Sequence, residues 1–390
     1  MKIAVVGAGY VGLSNAVMLA RHHEVVVLDT DAARVTAVNA RVSPFADAHL
    51  QACLDTAPLN LCASGDAEWV LQGAAYVFVA VPTNLNSATG QLDTSGLDDV
   101  LARIGAVNAD AIVAIRSTVP MGFTASAAVR HGIARLYFVP EFLREGQALH
   151  DSLHPSRVVV GGAAGAGAQA LAQLLLQAAQ ARDVPVLLMG AQEAEAVKLL
   201  SNTYLAMRVA FFNEVDNLAW SRHLDARMLI EGLGLDPRIG SHYNNPSFGF
   251  GGYCLPKDVQ QIQSEWPTSA PHALVDAIAR SNDERVQYMA QAIAAQSPHC
   301  VGVYRLVMKA GSDNWRGSSS LVLVRRLQNL GVRVIIHEPL MAQGDLEGCT
   351  LVPSLHRFKA ECDLIVANRR DAGLLDVASK VFSRDLFGGD

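Results

Sequence analysis

The sequence feature that most constrains the fold is a glycine motif near the N-terminal end. Gly7-Ala8-Gly9-Tyr10-Val11-Gly12 directly follows the apolar run 3–6 and leads into residues with helical spacing. A G-x-G-x-x-G motif between a strand and a helix is typical of the Rossmann fold. Gly7 then permits the tight turn, Gly9 lets the backbone approach a pyrophosphate, and Gly12 lets the helix pack closely on the sheet. The motif therefore predicts a parallel α/β domain with an anion site at its first helix.

An acidic residue after the second predicted strand indicates which dinucleotide binds. Asp29 follows the apolar run 25–28, where a carboxylate accepts hydrogen bonds from the adenosine ribose. The same carboxylate would repel the 2′-phosphate of NADP, so we expect NAD as the cofactor, although the nearby Arg34 favours a phosphate. Glycines that merely turn a strand into a helix are the alternative, but strand, helix and acid together favour a cofactor site.

Composition and charge argue against several other classes of function. The chain has 390 residues and a formal net charge of -6 at pH 7, so nucleic acid and anionic membrane are not expected partners. The six cysteines are scattered, which indicates neither a disulfide framework nor a metal site, and the expected compartment is the reducing cytoplasm. No segment reads as a signal peptide or as a membrane span of about 20 apolar residues.

Hydrophobic periodicity predicts two sheet regions separated by helices. Short β-branched runs predict strands at 2–6, 24–28, 76–81, 111–115, 136–139 and 157–160, and helical spacing predicts helices at 10–21, 31–40, 96–105 and 167–181. Residues 191–222 contain no glycine or proline and predict one long helix, with another near 272–296. Strands at 300–306 and 332–336 around a helix near 318–330 predict a second β-α-β unit.

These elements predict an α/β fold of two Rossmann-like, doubly wound parallel-sheet domains joined by a long central helix. The expected divisions are a dinucleotide-binding domain over 1–190, a central helical domain over 191–296 and a second Rossmann-like domain over 297–390. The last domain lacks G-x-G-x-x-G, so we expect no second dinucleotide there. We expect the central helices to form the surface of a homodimer.

A glycine-rich segment in the central region carries a candidate nucleophile. Residues 243–258 read YNNPSFGFGGYCLPKD, with Cys254 three residues before Lys257. A nearby ammonium can favour the thiolate that attacks a carbonyl. A cysteine in a glycine-rich loop is more often structural, so this segment alone leaves both interpretations open.

Further polar residues fall where α/β enzymes bind ligands. Lys198 and Asn202, four residues apart, share one face of the long helix and could stabilise an oxyanion, with a solvated helix face as the alternative.

Two further segments, which begin at Arg116 and at Pro140, follow predicted strands, at the carboxyl edge where such sheets bind ligands. After Pro140, Glu141 and Glu145 would share a helical face, and one of them could orient or deprotonate water. As isolated acids they would more often be surface charge.

Taken together, these motifs resemble the UDP-glucose 6-dehydrogenases of the UDP-glucose/GDP-mannose dehydrogenase family. They occur in the family's order over nearly the full chain: VGAGYVGL (6–13), VPTN (81–84), STVPMGFT (117–124), PEFLREG (140–146), PSRVVVGG (155–162), KLLSNTYLA (198–206), FFNE (211–214), NNPSFGFGGYCLPKD (244–258) and KAGSDNWRGSS (309–319). An ordered set of this kind is far more specific than any single motif.

The resemblance implies two successive NAD-dependent oxidations of UDP-glucose at C6, giving UDP-glucuronate for polysaccharide synthesis without release of the aldehyde. Cys254 would form a thiohemiacetal and then a thioester that water hydrolyses. Lys198 and Asn202 would stabilise the oxyanions, and Asp258 would assist proton transfer. The hydrolytic water would be handled by Thr118, Glu141 and Glu145.

The resemblance also implies two sets of binding residues. UDP-glucose would meet Glu141, Phe142, Leu143, Arg144, Glu145, Lys198, Asn202, Arg238, Tyr243, Asn244, Asn245, Pro246, Ser247, Gly251 and Lys309. NAD would meet Gly7, Gly9, Tyr10, Val11, Gly12, Asp29, Arg34, Thr83, Thr118, Glu145, Lys257 and Arg316. Arg238 matches an arginine that reaches the partner subunit's sugar site, and no metal is expected.

Two departures from the family pattern and three alternatives stay open at this point. Asn84 stands where the family usually has aspartate, and Arg116 replaces a smaller residue or lysine, which puts affinity or loop geometry in question. The first alternative is the same chemistry on a UDP-N-acetylhexosamine or GDP-mannose. The second is a two-electron hydroxyacid or 6-phosphogluconate-type dehydrogenase, which needs no cysteine. The third is a non-catalytic NAD-binding protein.

Overall fold

The structure is a computed structural model of the chain. It describes residues 1–390 apart from residues 87, 308–314, 316, 342–344 and 389–390 and the side chain of Asp345. The chain forms two compact units, Met1–Ser201 and Asn202–Asp390. The expected division into three domains stays a prediction.

The first unit is built on a mainly parallel sheet. Its described strands are β1 (Lys2–Val6), β2 (Glu24–Leu28), β3 (Leu61–Ser64), β4 (Tyr76–Val79), β5 (Leu85–Asn86), β6 (Gln91–Leu92), β7 (Ile112–Ile115), β8 (Leu136–Phe138), β9 (Val158–Gly161) and β10 (Val186–Met189). Apart from the β5–β6 hairpin, they form one sheet in the order β10-β9-β8-β7-β4-β1-β2-β3. Val5 pairs with Val27 on one side and Phe78 on the other, and only the β8–β9 ladder of this described sheet is antiparallel.

Helices cover both faces of this sheet. They are α1 (Tyr10–Ala20), α2 (Ala32–Asn39), α3 (Ala48–Thr56), α4 (Ala67–Leu71), α5 (Ser95–Asn108), α6 (Phe123–His131), α7 (Ala148–Leu153) and α8 (Ala166–Ala178). Successive side chains of a strand point to opposite faces, and β1 shows the result. Val5 lies in a core with Leu13 and Leu171, whereas Val6 lies in a core with Leu97. Burial on both faces explains the continuous apolar strands of the sequence.

One long helix, α9 (Ala191–Arg222), begins in the first unit and continues in the second. Its bounds are those predicted from the absence of glycine and proline. Among the described residues, none of the helices combines the length and the apolar character that a bilayer crossing requires.

The second unit has a smaller sheet with helices on both faces. Its described elements are α10 (Ala226–Gly234), α11 (Cys254–Glu265), α12 (Ala273–Ala294), β11 (Val301–Tyr304), α13 (Ser319–Asn329), β12 (Val334–His337), β13 (Asp345–Leu346), β14 (Cys349–Leu351), α14 (Leu355–Glu361), β15 (Leu364–Ala367), a 3₁₀ helix (Ala372–Lys380) and β16 (Val381–Phe382). The sheet order is β13-β14-β12-β11-β15-β16, and within the described strands only β13–β14 is antiparallel. Val303 packs with Met289 and Leu323 on one face, and Ile335 packs with Phe358 on the other.

The predicted α/β fold with two parallel-sheet regions and a long central helix is confirmed. Each strand and helix predicted from hydrophobic periodicity has a counterpart in the structure. Periodicity did not predict the short strands β3, β5, β6, β10 and β13–β16, the helices α3, α4, α6, α7, α10, α11 and α14, or the 3₁₀ helix. Several of these begin beside residues that break local patterns: α6 follows Pro120 and Gly122, and α11 opens in the glycine-rich segment with Pro256 in its first turn.

Candidate active site

The glycine motif forms the turn between β1 and α1. Gly7 has a φ of 99°, and a Cβ there would lie 2.3 Å from the carbonyl oxygen of Ala80. A Cβ on Gly12 would lie 1.8 Å from the carbonyl oxygen of Gly7, so neither position accepts a side chain. Gly9 caps α1, and a Cβ placed on it would have open space within 4 Å as far as the described residues go. The turn therefore leaves room for a phosphate beside the helix N-terminus.

Asp29 lies at the same turn. Its Oδ2 accepts a hydrogen bond from the backbone N–H of Ala8 at 2.7 Å, and its Oδ1 accepts one from the N–H of Asp31 at 2.9 Å. The exposed Arg34 guanidinium is 3.9 Å from Oδ2. A carboxylate has acceptor positions beyond these contacts, so Asp29 can hold the turn and accept from a ribose. This residue set fits a dinucleotide.

The segment with Thr83 is tied to the loop with Thr118. The Oγ of Ser117 accepts from the N–H of Val81 at 2.9 Å and donates to its carbonyl oxygen at 2.7 Å. Thr83 and Thr118 are both buried, and Tyr10 is half-buried beside the glycine turn. Because β1 pairs with β4 and β4 with β7, the glycine turn and the segments with Thr83 and Thr118 follow neighbouring strands at one edge of the sheet.

A buried carboxylate on α9 fixes the far end of the Thr118 loop. Glu195 accepts hydrogen bonds from the backbone N–H groups of Gly122 at 2.5 Å and Thr124 at 2.8 Å. These are N-terminal groups of α6, where the helix dipole stabilises negative charge. The loop between β7 and α6 is thus held at both ends.

Lys198 is buried and pairs with Glu141. Its Nζ donates to Oε1 of Glu141 at 2.6 Å and to the carbonyl oxygen of the same residue at 2.8 Å. Burial, the largest single influence, would raise the pKa of Glu141, but the Lys198 ammonium, the N–H of Leu143 and the Arg116 guanidinium together outweigh it and hold that pKa below its ordinary value. Burial lowers the pKa of Arg116 to about 10, an effect that Glu141 partly offsets. Lys198 is therefore not a solvated helix-face residue, and Glu141 is an anion at neutral pH.

Glu141 and Glu145 do not share a helical face, and this prediction is wrong. The segment after β8 has no regular secondary structure until a turn at Glu145. Glu141 accepts from the N–H of Leu143 at 2.9 Å, a local contact that competes with helical hydrogen bonding. Arg144 forms a two-point ion pair with Asp151 of α7, at 2.6 and 3.0 Å. Contacts to α9 and α7 replace the helix that the spacing suggested.

In the second unit, Asp258 is fully buried between two donors. Its Oδ2 accepts from Nδ2 of Asn202 at 2.5 Å, and its Oδ1 accepts from Nζ of Lys257 at 2.8 Å. Asn202 and Lys257 are themselves buried. Lys257, whose ammonium was expected to assist Cys254, is thus paired with Asp258, whose carboxylate was predicted to transfer protons.

Cys254 opens α11 and is half-buried. Pro256 in the first turn sacrifices no helical hydrogen bond, and the positive end of the helix dipole favours negative charge at this position. Burial raises the pKa of the thiols of Cys53 and Cys300, and raises that of Cys362 to about 12. Those three thiols are therefore suited to packing, because their surroundings do not favour a thiolate.

The segment predicted to bind the sugar nucleotide is tied down by buried polar contacts. Nδ2 of Asn245 donates to Oδ1 of Asp385 at 2.7 Å. The N–H of Ser247 donates to Asn213 at 2.9 Å, and its carbonyl oxygen accepts from the Arg285 guanidinium at 2.8 and 3.0 Å. Residues distant in sequence therefore set the backbone of this segment.

The predicted substrate residues differ in how far their side chains are exposed to solvent. Glu141, Lys198, Asn202, Asn244, Asn245, Pro246 and Ser247 are buried, Phe142, Leu143, Glu145, Tyr243 and Gly251 are half-buried, and Arg144 and Arg238 are exposed. Arg238 pairs with Asp236 at 2.6 Å. Lys309 and Arg316 lie outside the described residues. Within the described part of the chain, no group of three or more His, Cys, Asp or Glu side chains could hold a metal ion.

Sequence reasoning missed four charged residues that shape these sites: Glu195, Arg208, Asp216 and Arg285. Asp216 and Arg285 are almost fully buried and lie 2.6 Å apart. The signal that marked Lys198, a charge among apolar residues of a helix, applies equally to Glu195 and Asp216. Their partners could not be read from that signal.

Three family models match consecutive parts of the chain. The NAD binding domain of the UDP-glucose/GDP-mannose dehydrogenase family matches residues 1–178, the central domain of that family matches 192–284, and its UDP binding domain matches 302–385.

Individual relatives agree with the family models. The chain is 42% identical to a UDP-glucose 6-dehydrogenase of Streptococcus pneumoniae and 39% identical to one of Campylobacter jejuni, in both cases over 100% of each chain. The fold matches the structure of a UDP-glucose dehydrogenase from the archaeon Pyrobaculum islandicum with a TM-score of 0.88 and 29% identity. That match covers 99% of this chain and 94% of the archaeal one.

Proposed function

This chain belongs to the UDP-glucose/GDP-mannose dehydrogenase family, and we propose that it oxidises UDP-glucose at C6 to UDP-glucuronate. Two full-length relatives that carry the name UDP-glucose 6-dehydrogenase support this substrate. The observation that carries the chemistry is the half-buried Cys254 at the N-terminus of α11, four residues before the buried Asp258. The overall reaction consumes one UDP-glucose, two NAD⁺ and one water, and yields UDP-glucuronate, two NADH and three protons.

NAD is the cofactor, and the first unit is built to hold it. When bound, it accepts one hydride in each of the two oxidations. Gly7, Gly9 and Gly12 shape the turn that receives the pyrophosphate, and Asp29 accepts from the ribose. We assign Tyr10, Val11, Arg34, Thr83, Thr118, Glu145, Lys257 and Arg316 to the same cofactor.

Cys254 is the proposed nucleophile. Loss of the first hydride from C6 gives an aldehyde, and the Cys254 sulfur adds to its carbonyl carbon to form a thiohemiacetal. Loss of the second hydride from that carbon gives a thioester. The covalent bond keeps the aldehyde from diffusing away between the two oxidations. Water then attacks the thioester carbon, the carbon–sulfur bond breaks, and the thiol is regenerated.

Buried donors stabilise the oxyanions that this route creates. Lys198 and Asn202 lie one helical turn apart on α9, and a charged and a neutral donor at that spacing can share one oxygen. Asp258 already holds Asn202 through a hydrogen bond, which fixes the amide's orientation. We assign proton transfer at C6 to Asp258 and a water molecule.

The hydrolytic water is assigned to Thr118, Glu141 and Glu145. Glu141 keeps its charge at neutral pH because Lys198 lowers its pKa, so it can accept a hydrogen bond from water and orient it. Thr118 is held by the anchored loop between β7 and α6.

The substrate residues follow from the same proposal. We assign the sugar nucleotide to residues 141–145, Lys198, Asn202, residues 243–247, Gly251 and Lys309. The second unit contains the family's UDP binding domain. We further propose a cytoplasmic homodimer, with α9 in the interface and Arg238 directed to the partner subunit. The exposed apolar residues of α9 support that interface.

The stoichiometry of NADH formation tests this function. We expect two NADH per UDP-glucose for the wild type, and a loss of turnover by about a thousandfold or more for Cys254→Ser, as for removal of other catalytic nucleophiles. Cys53→Ser, which changes an inert thiol, is the matched control and should leave turnover unchanged. One NADH per sugar, or an active Cys254→Ser variant, would contradict the thioester route. Oxidation of GDP-mannose or a UDP-N-acetylhexosamine in place of UDP-glucose would correct the substrate alone.

A further inference from the structure

Arg208 of α9 binds the chain segment that leads into the sugar-nucleotide residues. Its Nε donates to the carbonyl oxygen of His242 at 2.8 Å, and its Nη1 donates to that of Ile239 at 2.8 Å. Its Nη2 donates to the carbonyl oxygen of Gly240 at 3.2 Å and to Oδ1 of Asn244 at 2.5 Å. All three guanidinium nitrogens thus hold one short stretch of backbone.

This stretch has a strained backbone. Tyr243 has a φ of 54°, whereas the φ of 71° at Gly240 is one that glycine adopts without strain. A bulky residue such as tyrosine adopts a left-handed conformation only where surrounding contacts impose it. Arg208 bonds to the residue on each side of Tyr243, through the carbonyl of His242 and the side chain of Asn244. The guanidinium therefore spans the strained position.

The contacts require the planar shape of a guanidinium. Arginine presents five N–H donors in a rigid fork, whereas a lysine ammonium is a single point with three donors. A lysine at this position would keep the charge and could reach only part of the acceptor set. Carbonyl oxygens at the end of a turn also favour a positive charge.

We propose that Arg208 is a positioning residue for substrate binding. It imposes the left-handed backbone at Tyr243 and so sets how Tyr243 and Asn244 face the sugar nucleotide. This inference rests on the proposed function, because that function makes residues 243–247 a substrate segment. Arg208 itself touches no reacting atom in this scheme.

Steady-state kinetics of Arg208→Met and Arg208→Lys test the inference. We expect both substitutions to raise the KM for UDP-glucose about tenfold, as for loss of a charged hydrogen bond. The kcat and the KM for NAD should change by less than about threefold, because uniform substrate binding is what is lost. Arg325→Met is the matched control: Arg325 pairs with Glu347 at 2.6 Å on the surface of the second unit and should keep wild-type constants.

A readout that needs no substrate separates this inference from the proposed function. Hydrogen exchange of backbone amides at 240–247 should become faster in both Arg208 variants, with the amides of β1 and β11 unchanged. Wild-type KM for UDP-glucose in Arg208→Lys, or unchanged exchange at 240–247, would overturn the positioning role and leave the proposed function intact. An inactive wild type would overturn the proposed function, and the exchange experiment would still decide whether Arg208 orders the segment.

Discussion

Lys198 and Glu141 are both buried and form an ion pair at 2.6 Å. An isolated ammonium or carboxylate in such a place would lose its charge, because desolvation penalises the ionised form. In the proposed mechanism, Lys198 supplies a cation for the developing oxyanion, and Glu141 supplies an acceptor for the hydrolytic water. Asp258, held by Lys257 and Asn202, repeats the arrangement in the second unit.

At the residue scale, the Glu141 pair predicts a pH-dependent stability difference. The folded-state pKa of Glu141 is lowered, so its ionised form stabilises the fold above the unfolded pKa of about 4.3. That contribution is lost as pH falls through the folded-state pKa. We expect Glu141→Gln to reduce the free energy of unfolding by about 3–5 kcal/mol at neutral pH, and by less at acidic pH. Urea denaturation at both pH values measures the difference.

Glu347→Gln serves as the control for this prediction. Glu347 pairs with Arg325 at the surface, where such a pair contributes less than about 1 kcal/mol. The assigned ion pair would be contradicted if Glu141→Gln reduced the free energy of unfolding as little as Glu347→Gln does. It would also be contradicted if the reduction for Glu141→Gln became larger as the pH is lowered.

At the element scale, α9 carries residues with separate tasks along its length. Glu195 holds the start of α6, Lys198 holds the segment after β8, and Asn202 holds Asp258 of α11. Further along the helix, Arg208 binds the strained segment at Tyr243 through the carbonyl oxygen of His242. Within each unit, the helical rise of about 1.5 Å per residue sets the spacing between the residues that make these contacts. α9 therefore contributes candidate residues to both compact units.

The contact between Glu195 and α6 gives a prediction at this scale. Glu195→Gln replaces one acceptor oxygen by an NH₂ group facing the N-terminus of α6, and should reduce the free energy of unfolding by about 1–3 kcal/mol. Glu193→Gln, an exposed change in the first turn of the same helix, should cost less than about 1 kcal/mol. Chemical denaturation compares the two. Equal losses would mean that the Glu195 cap contributes no more than the general charge of the helix end.

At the scale of the whole molecule, α9 exposes an apolar stripe. Tyr204, Phe211 and Leu218 are each more than half exposed and recur every seven residues, which places them on one side of the helix. Large exposed apolar residues in a row mark a protein contact surface. The stripe supports the proposed homodimer.

Phe211→Glu tests that dimer. A charge at the centre of an apolar interface is left unpaired and desolvated, so we expect the variant to sediment as a monomer at concentrations where the wild type sediments as a dimer. Val129→Glu, at an apolar residue of α6 that is 86% exposed, should leave the mass of the assembly unchanged. A dimeric Phe211→Glu variant would place the interface elsewhere.

Several features of this protein could be predicted from the sequence alone. The glycine turn, the strands and helices that flank it and the bounds of α9 were all predicted correctly. Each rests on a local requirement that residue types display directly. Gly7 and Gly12 have no alternative because a Cβ would collide with backbone, and an uninterrupted helix needs an absence of glycine and proline.

Only the tertiary structure decided which buried charges meet. Glu141 was predicted on a helix with Glu145, and it lies instead in an irregular segment bound to Lys198, 57 residues away in sequence. Glu195 and Arg208 carried no motif at all, yet they hold Gly122 and Tyr243's neighbours in place. Such contacts join a helix to a distant loop, and their register depends on how whole elements pack. Packing is set by the summed burial of many side chains, so no local pattern of residue types could reveal it.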